Sequence, residues 1–142
     1  MMRIQRAGDN AHDWELYDGE GRIGIEWYFK ETSALPISVM RYHLEPGAEE
    51  GQHHHLEGDP DSCSTNSSDE MYIVTQGEVI ITAGDDRRVL RAGDAFYAPE
   101  GMQHGVRNES DAVAELMLVF GPRGQHPFSQ TGAEAFDAEA DR

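Results

Sequence analysis

"GDAFYAPEGMQHGVRN", residues 93–108, sets three glycines, a proline and a histidine among short apolar runs. Those runs are too brief for helices and are closed by Gly, Pro or Asn, so they read as strands separated by turns. Pro99 and Gly101 suit a type I turn. The same pattern extends in both directions. "RIGIEWYF" (22–29) alternates Ile23, Ile25, Trp27 and Phe29 on one face, and "PISVMRYHL" (36–44) runs into the turn "EPGAEEG". "MYIVT" (71–75) and "EVIIT" (78–82) flank Gln76-Gly77, which reads as a tight hairpin. "AGDDRR" turns the chain into "VLRAGDAFYAP", and "VAELMLVF" (113–120) closes the series. At least seven short strands without a convincing helix predict an all-β sandwich or barrel.

The totals bound what such a barrel does. A length of 142 residues supports one domain with a real core. No apolar run reaches the roughly 18 residues of a membrane span, and "MMRIQRAGDNAHDW" at the N-terminus lacks a signal peptide's apolar stretch. The expectation is a cytoplasmic protein. A formal charge of -16 repels phosphate backbones and anionic membranes, which argues against both as partners. With one cysteine, Cys63, there is no internal disulfide and no Cys-rich zinc module.

Two segments depart from strand patterning. Residues 56–69, "LEGDPDSCSTNSSD", are small, polar or acidic and read as a surface loop. From Ser129 the chain is Ala- and acid-rich and reads as a frayed tail with at most one helical turn, around Phe136. The division expected is an N-terminal extension over 1–34, a barrel over 35–122 and a C-terminal extension over 123–142.

Three histidines, His53, His54 and His55, lie side by side. On a strand His53 and His55 share a face and His54 points away. Two inward imidazoles need polar partners, and a metal ion is one partner that serves both. Spacing extends the pattern. Five residues separate Gly47 from His53, one separates His53 from His55, and six separate Glu70 from Gly77. Downstream, Gly93, Pro99, Gly101, His104 and Asn108 are separated by five, one, two and three residues. The two sets resemble the cupin superfamily motifs G-x5-H-x-H-x3/4-E-x6-G and G-x5-P-x-G-x2-H-x3-N, over roughly residues 35–120. Fifteen residues between Gly77 and Gly93 resemble the compact spacing of small single-domain members.

The resemblance implies a double-stranded β-helix, or jelly roll, with His53, His55, Glu70 and His104 as metal ligands and a homodimer as the assembly. Three imidazoles and a carboxylate suit one divalent transition ion, with Fe, Mn, Zn, Ni, Co or Cu left open. A site with one carboxylate stays weakly positive and attracts anionic or enolate-like groups. Positions left open at the ion suit a metalloenzyme acting on a small organic molecule. Dioxygenase-like chemistry is favoured over isomerase or lyase chemistry. The alternative is a non-catalytic binding, sensor or accessory role, since fold does not fix function. Strand parity directs Tyr72, Val74 and Val106 inward, and Tyr42 and Phe96 join Tyr72 and Val106 as candidate substrate-binding residues.

One departure stands out. The family places three or four residues between the second His and the Glu, and here there are fourteen. The inserted loop reads either as a lid at the barrel mouth or as a tolerated surface insertion. Asp69 is the alternative carboxylate to Glu70. Cys63, among acidic and polar neighbours, reads as an incidental exposed thiol. His43 is a reserve candidate behind the ligands, and His12 and His126 carry no pattern.

Overall fold

The computed structural model describes residues 1–64 and 66–121. The readings of the acidic tail and of His126 lie outside the described residues. Ten strands are formed: β1 (Ala11–Trp14), β2 (Ile23–Trp27), β3 (Ser38–Leu44), β4 (Glu49–His53), β5 (Glu70–Gln76), β6 (Glu78–Ala83), β7 (Asp86–Arg91), β8 (Ala95–Ala98), β9 (His104–Arg107) and β10 (Ala114–Phe120). They make two antiparallel sheets, one of six strands ordered β1-β2-β3-β10-β5-β8 and one of four ordered β4-β9-β6-β7. This is the double-stranded β-helix expected.

Alternation decides which side chains fill it. β3 and β10 both run strictly buried, half-buried, buried along their lengths, so Met40, Tyr42 and Leu44 face Leu116, Leu118 and Phe120 in a shared interior. Each fully buried Leu or Ile contributes about 1.5–3 kcal/mol, and that face holds the two sheets together. Ile23, Ile25 and Trp27 of β2 join it, with Trp27 edge-on to Phe120 at 5.6 Å. Phe29 does not continue the alternation: the strand ends at Trp27, and Phe29 adopts a left-handed φ of 49° beyond it.

Two turn readings are corrected. Gln76-Gly77 makes no hairpin, because β5 pairs with β10 and β8 whereas β6 pairs with β7 and β9. The chain instead steps from one sheet to the other there, with Gly77 at φ 75°. The turn at Pro99 is type II, because its third residue, Gly101, has φ 80° and Met102 N–H donates to the Pro99 carbonyl at 3.1 Å. The turn expected at "AGDDRR" is present and closes a β6–β7 hairpin, with Ala83 facing Asp86 across Gly84 and Asp85.

One irregularity positions the site. β4 and β9 pair Glu50 with Val106 and His53 with His104, so three steps on β4 match two on β9. This bulge turns both Glu50 and His53 inward although an odd spacing separates them. Gly51 lies inside it, where a Cβ would collide with the Tyr17 carbonyl.

Candidate metal centre

His53 and His104 face each other across the β4–β9 ladder, Glu70 opens β5 in the other sheet, and His55 follows β4 by two residues. All four are buried, at 5%, 2%, 1% and 1% exposure for His53, His55, Glu70 and His104. Their donor atoms lie within 4.8 Å of one another. Glu70 Oε1 is 2.9 Å from His104 Nε2, 3.6 Å from His55 Nε2 and 3.8 Å from His53 Nε2. The rings interlock, with His53 tilted against His104 at 4.3 Å between centroids and edge-on to His55 at 5.0 Å.

The outer nitrogens show where each lone pair points. His53 Nδ1–H donates to the Gly51 carbonyl and His104 Nδ1–H to the Met102 carbonyl, both at 2.9 Å. A carbonyl only accepts, so the proton sits on Nδ1 and Nε2 turns a lone pair inward. Ser64 Oγ lies 3.2 Å from His55 Nδ1. Nitrogen and carboxylate lone pairs packed face to face repel unless a cation or added protons come between them. His53 Nε2 and Glu70 Oε2 are buried without a hydrogen-bond partner. A divalent transition ion supplies what both atoms lack, and three imidazoles with one carboxylate are the donors such an ion takes. The residues fit the group.

Glu70 is held well below the usual carboxylate range: burial would raise it, and the imidazoles of His104, His53 and His55 outweigh burial. His104 is raised: burial lowers it, and the Glu70 carboxylate, the Glu50 charge and the Met102 carbonyl together outweigh burial. His55 is lowered because burial dominates. In the metal-free protein the Glu70 contribution is complete above the ordinary carboxylate value of 4.5 and is lost as pH falls through its depressed value. The His104 contribution is complete below the ordinary imidazole value of 6.5 and is lost as pH rises through its raised value. The pair therefore stabilises the metal-free fold most between 4.5 and 6.5. A metal requires neutral His104, so the rise in Tm caused by zinc is expected to grow between about pH 6 and about pH 8. An equal rise at both values would contradict this.

The other expected positions sort clearly. Tyr72 is fully buried, its hydroxyl between Glu70 Oε1 at 2.9 Å and Glu50 Oε1 at 2.6 Å. Tyr42 is buried one step further away, donating to Glu50 Oε2 at 2.6 Å. Burial first, then the nearby Glu50 and Glu70, pushes both phenols well above their ordinary range, so they stay O–H donors. Phe96 is half-buried, its ring 6.2 Å from His104 and 6.1 Å from Tyr72. Val106 belongs to the apolar core.

Asp69 is not in the cluster: it accepts from Tyr97 O–H and from Glu100 N–H. His43 lies 3.1 Å from Glu45 and 3.7 Å from Glu115, away from the ligands. His54 turns aside as expected, but it is buried and lies 2.9 Å from Asp59.

Three features escaped the sequence. Glu50, 1% exposed, puts a second carboxylate beside the site and tempers the expectation that the centre attracts anions. Tyr17 stacks on His53 at 3.9 Å. Cys63 is no exposed thiol: it is 6% exposed, with Sγ 3.1 Å from His55 Nδ1, because the inserted loop folds back over the histidines. Burial pushes its thiol up, which keeps it protonated and unreactive.

With a jelly roll enclosing three histidines and a glutamate, the chain has the architecture of a small β-barrel with an interior cluster that could hold a metal ion. The Cupin domain family model matches residues 40–120, and the chain belongs to that family. It is 31% identical over 65 residues to an uncharacterized protein of Streptomyces coelicolor, a match covering 46% of this chain and 61% of that protein. The match therefore spans less than two thirds of that relative's length. A cupin 2 conserved barrel domain protein from Salinispora arenicola superposes with a TM-score of 0.64 at 20% identity, covering 98% of both chains. A predicted oxalate decarboxylase from Thermotoga maritima gives 0.66 at 19% identity, covering 85% of this chain and 99% of that one. At these identities the structural likeness speaks for the fold alone.

Proposed function

We propose that this cupin is a metal-dependent enzyme acting on a small organic molecule, with dioxygenase-like chemistry favoured over isomerase or lyase chemistry. The observation that supports it is the convergence of three Nε2 lone pairs on one carboxylate, with His53 Nε2 and Glu70 Oε2 buried and unpartnered. When bound, the ion supplies Lewis acidity and, where it is redox-active, the electron transfer that oxygen chemistry needs. The protein's part is to hold the imidazoles in one tautomer, to keep water out, and to set Glu70 Oε1 2.9 Å from the Tyr72 hydroxyl. A cleft of about 360 Å³ beside Glu70 is lined in part by Ser67, Ser68, Asp69, Met71 and Tyr97, and none of the three histidines reaches it.

The second reading is a non-catalytic binding or sensor module. Its support is the filled interior: Tyr42, Tyr72 and Glu50 occupy the space behind the ligands as a closed hydrogen-bonded set. Oxygen uptake separates the two. Iron-loaded protein offered a panel of small acids, diols and phenols should consume oxygen, and zinc-loaded protein should not. Equal turnover with zinc would move the reading to redox-neutral chemistry, and no turnover with any metal would favour the binding module. The setting proposed is the cytoplasm, which suits a single buried cysteine kept as a thiol. A homodimer is supported by Met71 and Tyr97, cross-strand neighbours 36% and 52% exposed on the outer face of the six-stranded sheet. Sedimentation should then give twice the 15.8 kDa of the chain.

A further inference from the structure

The three imidazoles are held in place in two different ways. His53 and His104 each use a backbone carbonyl two residues earlier, so their acceptors belong to the barrel itself. The side chain of His55 instead meets the inserted loop, with Ser64 Oγ 3.2 Å and Cys63 Sγ 3.1 Å from Nδ1. The Ser64 hydroxyl gives its one proton to the Asn66 carbonyl at 2.8 Å, so toward His55 it can only accept. With the weakly accepting Cys63 Sγ beside it, the serine oxygen does for His55 what a carbonyl does for the other two. It keeps the proton on Nδ1 and the lone pair on Nε2, which faces Glu70.

The segment carrying Ser64 is tied to the histidines rather than laid loosely above them. Cys63 N–H donates to the His54 carbonyl at 3.0 Å. Ser62 Oγ accepts from Leu56 N–H at 2.9 Å and lies 2.8 Å from the Ser64 carbonyl. Ser64 is itself 7% exposed. A hydroxyl sealed at that depth against an imidazole has a fixed partner, not a solvent-averaged one.

We propose that Ser64 is a positioning residue for the metal centre: it fixes the tautomer and ring orientation of His55, and through it the loop inserted between the second histidine and the glutamate becomes part of the site. The inference rests on reading His53, His55, Glu70 and His104 as metal ligands. Its consequence is thermodynamic: removing the outer partner of a ligating histidine weakens metal affinity by about 10–100-fold.

The test measures cobalt(II) affinity of full-length protein by chelator competition, together with proton NMR of the cobalt-loaded form. Wild type should bind about one equivalent and show three paramagnetically shifted, exchangeable N–H signals, one for each Nδ1–H. Ser64→Ala should bind about 10–100-fold more weakly and lose one of the three signals to solvent exchange. Ser64→Thr keeps the hydroxyl and should restore both. Asp61→Ala, at an exposed position of the same loop, should match wild type. A purely structural role would lower the melting temperature without selecting one N–H signal. Cobalt binding by Ser64→Ala at wild-type strength, with three signals, overturns the positioning role and leaves the metal centre standing. A wild-type protein that takes up no cobalt overturns the metal reading, and this inference with it. If Ser64→Ala does not fold, Ser64→Thr decides: a loss of affinity and of one signal in that variant overturns the proposal.

Discussion

His53→Ala and Glu70→Gln are each expected to reduce bound metal from about one equivalent to less than about a tenth, while the barrel stays folded. The reasoning differs for the two. His53 stands directly opposite His104 on the β4–β9 ladder, and Ala removes one of the four donors of the proposed set. Glu70 is the sole carboxylate in the set, and Gln keeps its volume while removing the negative charge that offsets the ion. The Gln amide N–H can donate to His104 Nε2, so the metal-free variant keeps a hydrogen bond at that position. Two further substitutions make the result specific. Asp69→Asn touches a carboxylate engaged with Tyr97 and Glu100 N–H, and His43→Ala an imidazole beside Glu45 and Glu115, so both should retain wild-type metal. Elemental analysis after reconstitution reads all four variants. Unchanged metal in His53→Ala and Glu70→Gln would sink the ligand assignment, and a loss in Asp69→Asn would transfer it to the neighbouring carboxylate. Metal at about a thousand times its Kd adds about 4 kcal/mol to the stability of the folded state, so melting temperature gives a second readout.

These residues could be named from spacing because the motif positions are tied to backbone requirements. Gly47, Gly77, Gly93 and Gly101 all have left-handed φ, at 86°, 75°, 98° and 80°, conformations that side-chain-bearing residues rarely adopt. Asn108 is fully buried and donates to the Leu44 and Ala112 carbonyls, tying the β9–β10 loop to the end of β3. Such positions leave a mark in a single sequence. Glu50 leaves none. Strict alternation back from His53 sends it outward, and only the bulge at Gly51 turns it in, which local residue types do not announce. Gln76-Gly77 misleads for the opposite reason. Its local chemistry suits a hairpin, but β10 and β8 claim one flanking strand and β7 and β9 the other. Pairing at long sequence range overrides a two-residue preference. Cys63 and Ser64 were illegible for a third reason. A polar, acidic composition says that a loop has no core of its own, and says nothing of what the loop can cover.

Glu50→Ala is expected to lower stability by about 2–5 kcal/mol, a large share of the roughly 5–15 kcal/mol available to a small domain. The carboxylate accepts the Tyr42 hydroxyl on one oxygen and the Tyr72 hydroxyl on the other, both at 2.6 Å, in an interior where all three side chains are at most 1% exposed. Alanine removes both acceptors at once. Each orphaned buried hydroxyl costs about 1–3 kcal/mol, and the vacated space adds a cavity term. Glu70 Oε1, 2.9 Å from the Tyr72 hydroxyl, can take back one of the two protons, which keeps the estimate below the sum of its parts. Among the described residues Glu50 is the one acceptor of the Tyr42 hydroxyl, so Tyr42→Phe in the Glu50→Ala background should recover stability, whereas in wild type it should cost about 1.5–3 kcal/mol. This reversal of sign is the diagnostic feature, since a simple loss of packing would make both changes unfavourable. Glu50→Gln retains an acceptor and adds a donor that a phenolic oxygen can receive, and it should lie close to wild type. Urea unfolding of the metal-free proteins at one pH measures the set. A Glu50→Gln variant as unstable as Glu50→Ala would show that the carboxylate's charge, and not the satisfaction of two phenols, is what the interior requires.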